Sequence, residues 1–235
     1  MSYPYKEQAN QLAHEYVRKI EDILNDFNDP DFAYAVHRKA VETLSLEYIS
    51  NNPFEQLYYT LLPKYQDAVL LDLLEVLADE KNMYFGLSMT NHLGSGFDTG
   101  KGPLFQCEVE PLKQACRKYP KRMPRILANM CPIYEWEGDK KVSLSSFFLW
   151  LCDEFGDDID VLHAFSANLN TFSWSGFGGM ADYYSSEIPY LEPLLNHPKR
   201  TVREWAKLEI QSLQNDVERE TNNDNYERMT RGNGK

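Results

Sequence analysis

Apolar positions recur at three- and four-residue spacing along most of this chain, which is the period of amphipathic helices rather than of strands. Leu12, Tyr16, Ile20, Ile23 and Phe27 predict one face of a first helix, stopped by Asn28 and Asp29. Pro30, with Asp29 as its cap, opens a second helix whose Val36, Ala40, Leu44 and Tyr48 step along one side as far as Asn51. Asn52, Pro53 and Glu55 repeat that start signal for a short helix, and Pro63 opens another. In this last one Val69, Leu73, Val76 and Leu77 face one way while Leu70, Leu71 and Leu74 widen the stripe, so it belongs near the centre of the core. The helical pattern resumes after Met83, and the glycines of residues 94–103 predict a loop.

Downstream, Pro120 separates two short helices within residues 108–134, and residues 135–141 read as a turn. Ser143 is the expected cap of a strongly aromatic helix carrying Phe147, Phe148, Trp150 and Phe155, and Gly156 ends it. Asp157 and Asp158 then open a helix with Ile159, Leu162, Phe165 and Leu169 on its apolar side. No stretch alternates with period two. About ten helical segments on short connections predict an all-α fold, a HEAT-like α-solenoid of stacked antiparallel helix pairs. The expected organisation is one helical-repeat domain over residues 1–220 and a flexible tail over 221–235, where apolar content runs out.

The sharpest local motif lies in residues 196–217. Thr201 and Glu204 have capping-box spacing, His197 and Pro198 close the preceding helix, and Val202, Ala206, Ile210, Leu213 and Val217 form the stripe to be buried. The order LLNHPKRTVREWAKLEI resembles the inner turn and second helix of a HEAT repeat, matched at Leu194, Leu195, Val202, Arg203 and Ala206, with Asn196 where an aspartate is usual. The resemblance implies that Arg203 ties the inter-repeat turn by hydrogen bonds. The wider segment FGDDIDVLHAFSANLNTFSWSGFGGMADYY, followed by HPKRTVREWAKLEI, is similar to the HEAT-like C-terminal ends of bacterial conflict-system proteins, including antiphage and toxin-immunity components. That likeness implies a protein-binding surface rather than an activity. The expected function is therefore a non-enzymatic scaffold, an immunity protein that neutralises a basic toxin such as a nuclease, or else an accessory subunit of an antiphage defence complex.

Charge sharpens this picture. The formal net charge is -12, and residues 1–100 alone carry 16 acidic side chains against 7 basic ones. Such a surface repels phosphate backbones and favours a basic protein partner. HEAT-like repeats can also cradle DNA, as the alkylpurine glycosylases of that shape do, but only the cluster Lys113, Arg117, Lys118, Lys121, Arg122 and Arg125 offers the positive face this needs. The simpler expectation is that those cations pair with the acidic remainder.

The candidate partner-binding residues are the acids Asp153, Glu154, Asp157, Asp158 and Asp160, and the aromatics Phe172, Trp174 and Phe177 of a Ser- and Gly-bearing loop, which either plug a groove between repeats or form an exposed hot spot. No catalytic, metal or cofactor site is expected. The loop SGFDTGKG departs from a phosphate-binding loop at Ser95 and Gly102, and the acids lack calcium-loop spacing. The five histidines never fall at i, i+4 and read as surface or capping residues, while Cys107, Cys116, Cys131 and Cys152 read as reduced, buried thiols. With no apolar run of about 18 residues and no secretory leader, the expected compartment is the cytoplasm, without membrane contact.

Overall fold

The computed structural model describes residues 3–45, 54, 56–94, 102–138, 140–169 and 179–232. Among them are ten α-helices and one two-stranded sheet, so the chain is mostly helical. It falls into two compact units, Met1–Pro132 and Ile133–Lys235.

The first unit holds α1 (Tyr3–Asp26), α2 (Pro30–Ser45), α3 (Tyr58–Ala78), α4 (Met83–Leu93), α5 (Val109–Lys118) and α6 (Met123–Met130). The central helix is α3, as its broad apolar stripe predicts: Val69, Leu70, Leu73, Leu74, Val76 and Leu77 are all buried, and only Leu71 turns outward, 65% exposed. Pro63 lies inside α3 rather than at its start. A proline lacks the N–H that would bond one turn back and its ring crowds that carbonyl, so it marks a break. The chain kinks beside it, at Tyr65, where φ is -127° and ψ 30°. In α2, Val36, Ala40 and Leu44 are buried, and the Asp29 side chain accepts the Phe32 N–H at 3.0 Å as the expected cap. The start signal Asn52, Pro53 and Glu55 and most of the 94–103 loop lie outside the described residues.

The first helix forms where expected but turns a different face inward. Val17 and Leu24, seven residues apart, are 2% and 0% exposed, whereas Tyr16 and Phe27 are each 63% exposed and Ile23 is 43% exposed. Apolar side chains occupy two adjacent stripes of α1, and α3 can cover only one.

The second unit contains β1 (Tyr134–Glu137), β2 (Lys140–Leu144), α7 (Ser146–Phe155), α8 (Ile159–Leu169), α9 (Gly179–Leu191) and α10 (Arg200–Gly232). The expected turn at 135–141 is an antiparallel hairpin. Tyr134 faces Leu144 and Trp136 faces Lys141, with an irregularity after Glu135 that leaves Val142 without an opposite number. Only Tyr134 and Leu144 are buried, so the pattern is too short to show alternation in the sequence. The cap of α7 is Ser145, whose Oγ accepts the Phe148 N–H at 3.2 Å, not Ser143, which belongs to β2. Along α10, Val202, Trp205, Ala206 and Ile210 are buried, and the backbone stays helical through 221–232.

Candidate functional site

The acids singled out in the sequence gather at the corner between α7 and α8, where the start of α10 meets them. Asp153 lies 3.1 Å from the His197 ring, and Asp157 lies 2.9 Å from Lys199 Nζ, which also donates to the Glu154 carbonyl at 3.1 Å. The Lys199 ammonium holds the Asp157 carboxyl below its ordinary value. Asp158 accepts the Asp160 N–H at 2.9 Å, the capping bond its position at the start of α8 predicts. Thr201 does not cap α10, which begins one residue earlier; its hydroxyl donates to the Gly156 carbonyl at 2.6 Å, and Glu204 pairs with Arg200. Arg203 donates to the His197 and Pro198 carbonyls at 2.6 and 2.8 Å and so ties the turn. Under the corner, Trp205 donates to Ser166 at 2.9 Å and packs on Phe148 and Phe165. Phe172, Trp174 and Phe177 lie outside the described residues.

The basic cluster is spent in the same way. Arg117 pairs with Glu110, Lys118 with Glu75 at 2.6 Å and Arg122 with Glu80, while Arg122 also donates to the Leu77 and Asp79 carbonyls. The Arg117 and Lys118 pairs are exposed and individually weak.

A different surface is built by α1 and α2. The end of α1 is pinned to the α3 kink: Tyr65 Oη donates to the Leu24 and Phe27 carbonyls at 2.7 and 2.5 Å, and Lys64 Nζ donates to the Leu24 and Asn25 carbonyls at 2.5 and 2.8 Å. A cation and a hydroxyl thereby satisfy carbonyls that a helix end leaves open. With its backbone held, α1 and the residue after it present Tyr16, Ile23 and Phe27 outward, and Ile23 and Phe27 share a depression with Phe32 of α2. Two depressions mark this face. One of about 430 Å³ is lined by Ile23, Phe27, Pro30 and Phe32, and one of about 230 Å³ by Ile20, Phe32, Val36 and Phe54. Around them, residues 14–31 carry six acidic side chains and two basic ones. Burial, and after it the neighbouring Asp22 charge, pushes the Glu21 carboxyl above its ordinary value.

Two polar networks are internal. In the first unit His37 is fully buried, contrary to the surface or capping role expected of it. Its Nδ1 accepts from Tyr58 Oη at 2.8 Å and its Nε2 donates to Asp72 at 2.8 Å; Asp72 also receives Arg38 at 2.9 Å. Burial lowers the pKa of the ring, and the donors on Asp72 outweigh that carboxyl's own burial and lower its pKa as well. In the second unit Lys141 pairs with the buried Glu187 inside a ring of aromatics, its Nζ 4.4 Å from the Tyr134 centroid and 4.8 Å from that of Tyr183. Neither network was legible in the sequence, since nothing in the order of residues ties His37 to Asp72 or Lys141 to Glu187. The thiols are equally enclosed: all four are buried and none is in a disulfide, and burial pushes Cys116 and Cys152 up to about 12, far from thiolate chemistry at neutral pH.

Among the described residues no group of His, Cys, Asp and Glu could hold a metal ion, and no helix is long and apolar enough to cross a membrane. Comparison with protein families, with curated proteins and with solved structures finds no match.

Proposed function

We propose that this protein is a non-enzymatic scaffold that binds another protein, a basic one, in the manner of an immunity protein neutralising a toxin domain such as a nuclease. The helical body, read as stacked antiparallel helix pairs, serves to hold surfaces in place. One observation carries the reading: Tyr16, Ile23 and Phe27 are exposed along one stripe at α1, and Asp22, Asp26 and Asp31 are exposed in the same stretch of chain. Large aromatics in solvent supply binding energy when a partner desolvates them, and a rim of one charge selects a partner of the other and speeds its approach. The α7–α8 corner adds negative charge but is already engaged by Lys199 and His197.

The test is complex formation between the purified protein and the product of the neighbouring gene, followed at low and high salt. A complex whose association slows as salt rises is the expected result. Tight, salt-sensitive binding to duplex DNA with no protein complex would overturn it.

A further inference from the structure

We infer that the α1–α2 face is a groove for one amphipathic α-helix of the partner, with aliphatic or aromatic residues at i, i+3 or i+4 and i+7 on one side and lysine or arginine along its margins. The inference rests on the reading above and specifies what the partner offers to this surface.

Shape comes first. From Tyr16 to Phe27 the exposed stripe runs along about three turns of α1, roughly 17 Å at 1.5 Å per residue. The two depressions lie along it and share Phe32 as a common wall. Two adjoining apolar sockets along one stripe suit successive anchors from one side of a helix. Backbone chemistry points the same way. The described residues of the first unit contain no strand, so this face has no open sheet edge to pair with an extended peptide. An extended segment laid on it would bury unpaired N–H and C=O groups, whereas a helix arrives with its own bonded.

Charge selects the partner's margins. The exposed carboxylates Glu15, Asp22, Asp26 and Asp31 flank the stripe, with Arg18 and Lys19 the only cations on that stretch of α1. Like charges crowd at Glu21 and Asp22, so an incoming cation relieves repulsion as well as forming a pair. A second copy of this chain would bring the same acids together face to face, which disfavours self-association as the use of this groove.

The test uses the full-length protein and a labelled leucine/lysine peptide of about 18 residues, five helical turns, read by fluorescence anisotropy at low salt. Two further peptides serve as controls: leucine/glutamate with the same apolar pattern, and the lysine peptide broken by central prolines. The expected result is binding of the intact lysine peptide alone. Combining Ile23→Ser with Phe27→Ser should weaken it about tenfold or more, and Leu208→Ser, at a position 65% exposed on α10, should leave it unchanged. Equal binding of the proline-broken or glutamate peptide, or indifference to the serine pair, overturns the inference. So does concentration-dependent self-association that the serine pair abolishes. If the neighbouring gene's product binds the serine pair as tightly as the wild type, the groove falls and the scaffold reading stands. If that product does not bind the wild type at all, the scaffold reading is what fails.

Discussion

Asp153 and Asp157, at the α7–α8 corner, stand within 3.1 Å of His197 and 2.9 Å of Lys199, whereas no ion pair or hydrogen bond joins Asp22 or Asp26 of α1 to another described residue. All four are exposed acids, Asp22, Asp26 and Asp153 on helices and Asp157 in the turn between α7 and α8. At the corner, Asp157 pairs with the Lys199 ammonium and Asp153 meets the His197 ring, so both fasten the start of α10. On α1 negative charge borders solvent-facing aromatics and remains unmatched. A local density of acids therefore says little about binding; what matters is whether the fold has already supplied the counter-charge, and whether apolar surface has been left uncovered next to it.

Substitutions can break that contrast by showing that the corner binds or that α1 is structural. The largest expected effect is Trp205→Ala. This side chain is 5% exposed and packs against both Phe148 and Phe165, so its loss should cost about 3–5 kcal/mol in chemical denaturation. Thr201→Val is milder. It keeps the shape but leaves the Gly156 carbonyl without its donor, a loss of about 1 kcal/mol. Neither change should alter affinity for a basic helix once the variant is folded. A binding defect from Thr201→Val without loss of stability would return the corner to candidacy as the partner surface.

Legibility differed between the same two regions. The corner was largely readable: Gly156, the capping Asp158 and the turn-tying Arg203 follow from helix-end signals close in sequence, and Val202, Ala206 and Ile210 from the helical period of α10. Its one error, the capping box, arose because Thr201 found an acceptor 45 residues away, at Gly156. On α1 the helix was legible and its inward face was not. Two apolar stripes share the helix, and which one α3 covers depends on how Tyr65 and Lys64 grip the carbonyls of its last turn. Val17 and Leu24, seven apart, were the available signal, outnumbered by the more regular series from Leu12 to Phe27. The hairpin and the His37 network escaped for the same reason, since pairing across the fold decides both.

The smallest expected effect is electrostatic and separates the two acidic groups by sign. Asp157 has its carboxyl lowered by Lys199, so it contributes stability above its unfolded value of 3.8, and this is lost as the pH falls through the lowered folded value. Glu21 is the reverse case. Its raised value means that the folded state holds the proton more tightly than the unfolded chain, so ionising Glu21 costs stability as the pH rises past 4.5. Asp22→Asn removes the second cause of that shift and leaves the first, burial. The Glu21 titration, followed by NMR, should therefore move down towards 4.5 without reaching it, and stability near neutral pH should rise slightly. In the same variant, association with the lysine peptide should slow and lose part of its salt dependence, because one rim charge is gone. A Glu21 titration unmoved by Asp22→Asn would mean that Asp22 is neutralised by a counter-charge after all, and the distinction between the engaged corner and the open face of α1 would then disappear.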